Sequence, residues 1–416
     1  MASAPGSASL STAALAAGPS AATAPRHPYT RLYQAVAATF ALILVLAIRY
    51  LVIPVDDVLS SATGMPAAQD FIAFYEAGRF AARGQAALAY ALDQMLGAYR
   101  ALLVVKPMFT PWAYPPPFFL AVRPLGTLSP TAALACWFAV LVGGALAAGR
   151  IATGSWKLAP LALVAPQAIT TLAFGQNGTI SAALFAAMFA AWQRAPAMAG
   201  VALGLLAYKP QLAVVPAFLA LCLGAWRILL AAAVTVAAAS LLSLAIDGSA
   251  VWQAWLDAMA SQTQFVLDYR LPARRMVTVF ALVKASLRGS GLPSSALAFS
   301  AHAPFALAAL YAVVAIWRRS SDPFLRAVAL ACATLSVPPY AFDYDAAILI
   351  LPLGLLLVGG AAARAFTPGG RAWLLSLTVL PMATFVVILA TDVHLMAPIL
   401  LGALLAAYRA AHRAPA

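Results

Sequence analysis

Residues 35–57 read AVAATFALILVLAIRYLVIPVDD, and this stretch decides what kind of protein the chain is. From Ala35 to Val55 only Arg49 interrupts an apolar run, which is long enough to cross a hydrocarbon core about 30 Å thick as a helix. Arg26 and Arg31 precede it and Asp56 and Asp57 follow. The positive-inside rule therefore sets the N-terminus in the cytoplasm and the next loop outside. Apolar stretches then recur nearly to the end of the 416-residue chain. Hydrophobic residues make up 64% of it and charged ones only 9%, at a mean hydropathy of +0.91. That balance excludes a water-soluble globular domain, a secreted disulfide scaffold and a fibrous protein.

Working outward, further spans are expected at 131–149, 158–174, 179–193, 198–208, 211–225, 228–246, 296–317, 324–340, 346–363, 372–391 and 393–408. With the first, these give an all-α integral membrane protein of about twelve crossings with both termini cytoplasmic. Residues 1–34, rich in Ala, Ser, Pro and Gly and without the basic start of a secretory signal, read as a disordered cytoplasmic tail. Residues 35–410 read as one polytopic domain and 411–416 as a second cytoplasmic tail. Two extracytoplasmic loops are expected, 56–113 and 247–295. The first is patterned as amphipathic helices lying along the membrane surface at 70–83 and 92–105, and the second carries a helical stretch at 277–287.

This topology rests largely on apolar runs and basic residues, yet the acidic residues sort by it: of the 12, only Asp322 falls inside. The formal charge of +13 comes from bases scattered singly between apolar runs, which argues for topology signals and against a nucleic-acid partner. Two regions resist simple spans. Residues 114–129 contain Pro115, Pro116, Pro117 and Pro124, and a full crossing there would reverse the parity of the later loops, so a broken or re-entrant element is expected. The pair 198–208 and 211–225 is short, with Lys209 and Pro210 at its apex. Cys136, Cys222 and Cys332 sit in apolar runs, and His27, His302, His394 and His412 are far apart, so neither a metal nor a cofactor is expected.

With this topology the unusual polar residues collect at the outer membrane boundary: Asp70, Tyr114, Gln176 with Asn177, Lys209, and Asp343 with Asp345. One-sided clustering suggests a cavity open to the outside and to lipid. Each residue also has a plainer reading. Asp70 stands where a helix starts, so on the residues alone an N-cap outweighs a catalytic carboxylate. Glu76, the lone glutamate, reads as a surface charge first and as an aid to acceptor binding second. Lys209 is either a phosphate ligand or a cation snorkelling at a helix end. Gly175-Gln176-Asn177-Gly178 suits a turn as well as a site for hydroxyls. Tyr114 suits a structural break or an aromatic wall for a sugar ring. Asp343 and Asp345, two apart, point in different directions, so at most one faces a site directly. Arg270, Arg274 and Arg275 suit lipid headgroups first, a lipid phosphate second.

The succession of Asp70-Phe71, Tyr75, Gly84 and Tyr90, then Tyr114-Pro115-Pro116, Gly175-Gln176-Asn177, Ala199-Gly200 with Lys209-Pro210, and Pro338-Pro339-Tyr340 with Asp343-Tyr344-Asp345, resembles glycosyltransferase family 87. The resemblance runs roughly from Asp70 to Pro352 by motif order. It implies a GT-C fold and a membrane enzyme that moves a sugar, mannose among the candidates, from a polyprenyl-phosphate donor to a lipid or glycan acceptor on the extracytoplasmic side, with inversion. By the same resemblance Asp70 is the general base, which reverses the order of its two readings. Lys209, helped by an arginine of the second loop such as Arg270, stabilises the leaving phosphate. Tyr114, Gln176 and Asn177 orient sugars, and Asp343 and Asp345 complete the substrate site. Two other classes compete, a lipid or small-molecule transporter and a non-catalytic scaffold of polysaccharide assembly. No internal repeat supports the former.

Overall fold

A computed structural model describes residues 30–54, 61–62, 66–102, 111–268, 274–358, 366–367, 369–370, 373–374, 376–377, 381, 387, 391 and 393–413. The chain divides into a short unit, 1–39, and a main unit, 40–416. Of the short unit only the helical residues from Thr30 onward are described, so the expected disorder of 1–29 lies outside the described residues, and helix begins a little ahead of position 35.

Every regular element among the described residues is helical: α1 Thr30–Ala47, α2 Phe71–Ala82, α3 Leu92–Leu102, α4 Pro130–Thr153, α5 Pro166–Phe174, α6 Gly178–Ala191, α7 Pro196–Leu206, α8 Pro210–Cys222, α9 Trp226–Asp247, α10 Ser249–Asp268, α11 Val279–Ser286, α12 Ser294–Arg319, α13 Pro323–Ser336, α14 Ile350–Val358 and α15 Met396–Arg413. Prolines write many of the boundaries. Pro130, Pro166, Pro196, Pro210 and Pro323 open helices, where a missing N–H costs nothing, and Gly154 and Gly175 close two of them. The proline-rich segment after Tyr114 forms only short turns, Pro116–Phe118, Phe119–Val122 and Arg123–Thr127, in place of a long helix.

Among the described residues three helices, α4, α9 and α12, are long and apolar enough to cross a membrane. Ala37–Val52, Gly178–Ala191, Pro196–Leu206, Pro210–Cys222, Pro323–Ser336 and Asp345–Val358 are apolar but shorter. The expected span 158–174 is cut by Pro160 and Pro166 into a 3-10 turn at Ala159–Ala162 and the nine-residue α5. The expected span 372–391 falls largely outside the described residues.

Two expectations about the outer loops need correction. The segment 247–295 is not mainly loop, because the 20-residue α10 occupies Ser249–Asp268. And α2 is no half-exposed amphipathic helix: Phe71 through Gly78 are all buried, as Phe74 packs on Trp137 with ring centroids 4.8 Å apart. Aromatic area wins over the few charges of the helix, which are paired within the protein.

The helices from α6 to α8 alternate in direction. Tyr208, past the end of α7, donates to the Asn177 carbonyl before the start of α6, while Trp192 past the end of α6 packs on Trp317 at 4.8 Å. Arg318 in turn donates to the Cys222 carbonyl at the far end of α8. One set of helix ends therefore carries the polar turns at 175–178 and 207–209, and the other carries Trp192, Trp317 and Arg318.

Candidate functional site

The polar junction is built from helix ends. α5 stops at Phe174 because Gly175 takes φ +69°, a left-handed conformation that suits glycine, and its carbonyl accepts the Trp137 indole N–H at 2.7 Å. The reversal presents Gln176 and Asn177 just before α6. At Gly178 a Cβ would lie 2.1 Å from the Tyr344 carbonyl oxygen, so only glycine lets 342–345 reach this turn. The Asp70 N–H donates to the Phe174 carbonyl at 3.0 Å and brings the start of α2 to the same place. Lys209 arrives on the tight connection between α7 and α8. The last contributor is a pair of extended segments: the Val277 N–H donates to Ala341 at 2.9 Å and the Asp343 N–H to Arg275 at 2.8 Å.

Arg275 is the centre of the junction. Its Nη1 donates to Asp70 Oδ2 at 2.9 Å, its Nη2 to Asp343 Oδ1 at 3.2 Å, and its Nε to both Asp343 oxygens at 3.2 and 3.3 Å. The guanidinium carbon lies 4.3 Å from the Phe174 ring centre and 5.1 Å from that of Tyr344. Burial works against this charge, but Asp343 and then Asp70 outweigh it and raise the pKa further, so the guanidinium is permanently cationic. Asp70 Oδ2 also accepts Gln176 Nε2 at 3.1 Å. Asn177 Nδ2 donates to the Tyr114 hydroxyl at 3.0 Å, and that hydroxyl makes a long 3.5 Å contact to Gln176 Oε1. Lys209 Nζ donates to Asp345 Oδ1 at 2.5 Å and stands 4.5 Å from the Tyr344 ring centre, while Asp345 Oδ2 accepts the Phe342 N–H at 3.1 Å.

All the expected site residues within the described segments thus meet in one cluster: Asp70, Tyr114, Gln176, Asn177, Lys209, Asp343 and Asp345. Arg270 lies outside the described residues. Burial grades across the cluster. Asp345 and Asn177 are fully buried and Lys209 is 3% exposed, whereas the side chains of Arg275 and Asp343 keep 21% and 11% of their surface. The Arg275–Asp343 edge is therefore the most exposed part of the charged cluster. A cavity of about 20 Å³, water-sized, opens beside it among Gln167, Thr170, Asp343 and His394. Among the described residues no group of His, Cys, Asp and Glu is placed to hold a metal ion.

Two plainer readings are overturned. The Asp70 carboxylate caps nothing: Asp70 sits at the N-cap position of α2 without a side-chain bond to any helix N–H. A charge-assisted bond to a guanidinium in a buried setting outcompetes a single cap bond. Glu76 is no surface charge either. It is 2% exposed and accepts from Arg79 at 2.7 Å, and burial pushes its carboxyl above the ordinary value of 4.5 despite that partner. Sequence reasoning also underrated Arg275 and Tyr344. Arg275 stood in a group of three arginines that spacing could not separate, and Tyr344 is marked only by lying between two aspartates.

Residues 112–339, more than half of the chain, match the family model for glycosyltransferase family 87. The chain belongs to glycosyltransferase family 87. Comparison with curated proteins and with solved structures gives no match. The family match spans Tyr114, Gln176, Asn177, Lys209 and Arg275, and the remaining carboxylates of the junction flank it on both sides. With its long apolar helices, this family 87 member is a helical membrane glycosyltransferase.

Proposed function

We propose that this family 87 enzyme transfers a hexose, such as mannose, from a polyprenyl-phosphate donor to a lipid or glycan acceptor on the extracytoplasmic face of the inner, plasma membrane. The chain crosses the bilayer about twelve times, with both termini cytoplasmic, as its loop charges imply. The observation that carries the reading is the meeting of Asp70 with Gln176, Arg275, Asp343 and the Lys209–Asp345 pair from distant parts of the chain. A carboxylate beside two cations is the equipment an inverting transfer needs.

In that reaction Asp70 takes the proton of the acceptor hydroxyl as its oxygen attacks the anomeric carbon. The bond from that carbon to the phosphate oxygen breaks, and polyprenyl phosphate leaves with the electron pair. Arg275 and Lys209 offset the charge that develops on the phosphate, and Tyr114, Gln176 and Asn177 orient the sugars. A lipid-linked donor reaches the cluster from the bilayer, which accords with a chain whose described elements are all helical and mostly apolar.

Purified protein given polyprenyl-phosphate sugars and candidate acceptors, with products read by mass spectrometry, is expected to yield a glycosylated acceptor. Asp70→Asn should lower turnover by about 100-fold or more in a protein that still folds. An Asp70→Asn enzyme of wild-type activity would remove the proposed base.

A further inference from the structure

Arg275 is bonded in an uneven way. Nε and Nη2 are committed to Asp343 and one N–H of Nη1 to Asp70, all within 3.3 Å. A guanidinium carries five N–H groups, so Nη1 and Nη2 each keep one more, and neither has a partner among the described residues. Asp70 is divided in a complementary way. Its Oδ2 receives both Arg275 and Gln176, whereas its Oδ1 accepts no hydrogen bond among the described residues. Lys209 offers less: it is 3% exposed, and its ammonium is bound to Asp345 in the depth of the cluster.

We propose that Arg275 ties the general base to the leaving group. Its Nη1 holds Asp70 Oδ2 so that Oδ1 faces the acceptor hydroxyl, and its two spare N–H groups hold the donor's phosphate. This rests on the reading of the preceding subsection and deepens it. Because the guanidinium is planar and rigid, base and phosphate are fixed at one separation on opposite sides of the anomeric carbon, as in-line displacement requires. Asp343 and the rings of Phe174 and Tyr344 hold that plane, and Gln176 acts on the base itself. The step balances without a further reactant: the proton goes to Asp70 Oδ1, the new C–O bond forms, the old one breaks, and the pair stays on the phosphate. The bare cluster sets three carboxylates against two cations, so the spare N–H groups of Arg275 are also where an entering phosphate is least repelled.

The test is steady-state kinetics of Arg275→Ala and Arg275→Lys in the purified full chain with a polyprenyl-phosphate sugar, alongside the wild type. Both variants should lose about 100-fold or more in kcat, because a lysine keeps the charge but cannot bridge two anions in one plane. Millimolar guanidinium chloride should restore about tenfold to Arg275→Ala, and sodium chloride at the same concentration should not. The proposal is overturned if the loss lies wholly in donor KM with kcat unchanged, if guanidinium does not rescue, or if either variant keeps wild-type kcat. Should Arg275→Ala fail to fold, the kcat of Arg275→Lys decides alone. A wild-type enzyme that transfers no sugar would instead defeat the underlying reading, so the two failures are told apart.

Discussion

α2 and α9 are built inside out relative to each other. α2 carries Glu76 and Arg79 with Asp70 at its start, yet Phe71 through Gly78 are buried. α9 holds charge only near its ends, with Leu230, Val234 and Leu241 on its flank, and those side chains are 68%, 59% and 66% exposed. In water the arrangement would be upside down: exposed leucines cost free energy in proportion to their area, and buried charges cost more still. It is the arrangement expected where the outer solvent is hydrocarbon. Helices that carry function then turn inward, and helices that only face lipid are apolar all round.

The largest effect should come from unbalancing the inward side. Lys209→Met removes one partner of a pair in which Asp345 is fully buried, leaving a carboxylate without its counter-ion. Breaking such a pair from one side costs about 3–5 kcal/mol, so the melting transition in detergent should fall sharply. Removing the other charge as well, in Lys209→Met with Asp345→Ala, should recover much of that stability, but it should not recover donor use if the ammonium stabilises the phosphate. Equal stability of the single and double variants would mean that the carboxylate of Asp345 finds other partners once the ammonium is gone.

The outward side is tested by putting a charge where the apolar face is. Val234→Lys, near the middle of α9, should lower membrane insertion by about 2.5–3.5 kcal/mol, read as the inserted fraction of the chain in microsomes or vesicles. At 59% exposure the same change in a water-soluble protein would be near neutral. Full insertion of the variant would mean that this flank of α9 faces water or another subunit instead of lipid.

The comparison also explains how far the sequence could be read. Apolar runs and proline positions are local signals, and they located the starts of α4, α7, α8 and α13 to within about two residues. The residues that converge were also legible as types: Asp70, Gln176, Asn177, Lys209, Asp343 and Asp345 are polar groups in places where hydropathy demands a reason. Burial was not legible. Glu76 and Asp70 looked like a surface charge and a cap because one-sequence reasoning assumes an aqueous exterior around a short polar helix. The partner choice of Arg275 was hidden for another reason. It depends on the extended pairing of 275–277 with 341–343, a contact across more than 60 residues, and no spacing rule reaches that far. Helix lengths misled as well, since Pro160 and Pro166 cut one expected span into pieces.

Glu76 gives the smallest and most diagnostic effect, because it asks whether α2 is as dry as its burial implies. Burial raises its pKa above 4.5, and the bond and charge of Arg79 only partly oppose the rise. Between 4.5 and the raised value the folded chain binds more protons at this site than the unfolded chain does. Stability therefore falls as pH rises through that window, and above it the ionised carboxylate is a fixed cost to the fold. Glu76→Gln has no such proton to exchange, so the difference in melting temperature between variant and wild type should grow in the variant's favour as pH increases from 4.5 and then level off. The Arg79 pair works in the opposite direction, since its loss removes a contact to an arginine that is 27% exposed and thus weakly held. A flat difference across that pH range would mean that water reaches Glu76, and the inward-facing character of α2 would then rest on its apolar and aromatic residues, Phe71 and Phe74 among them.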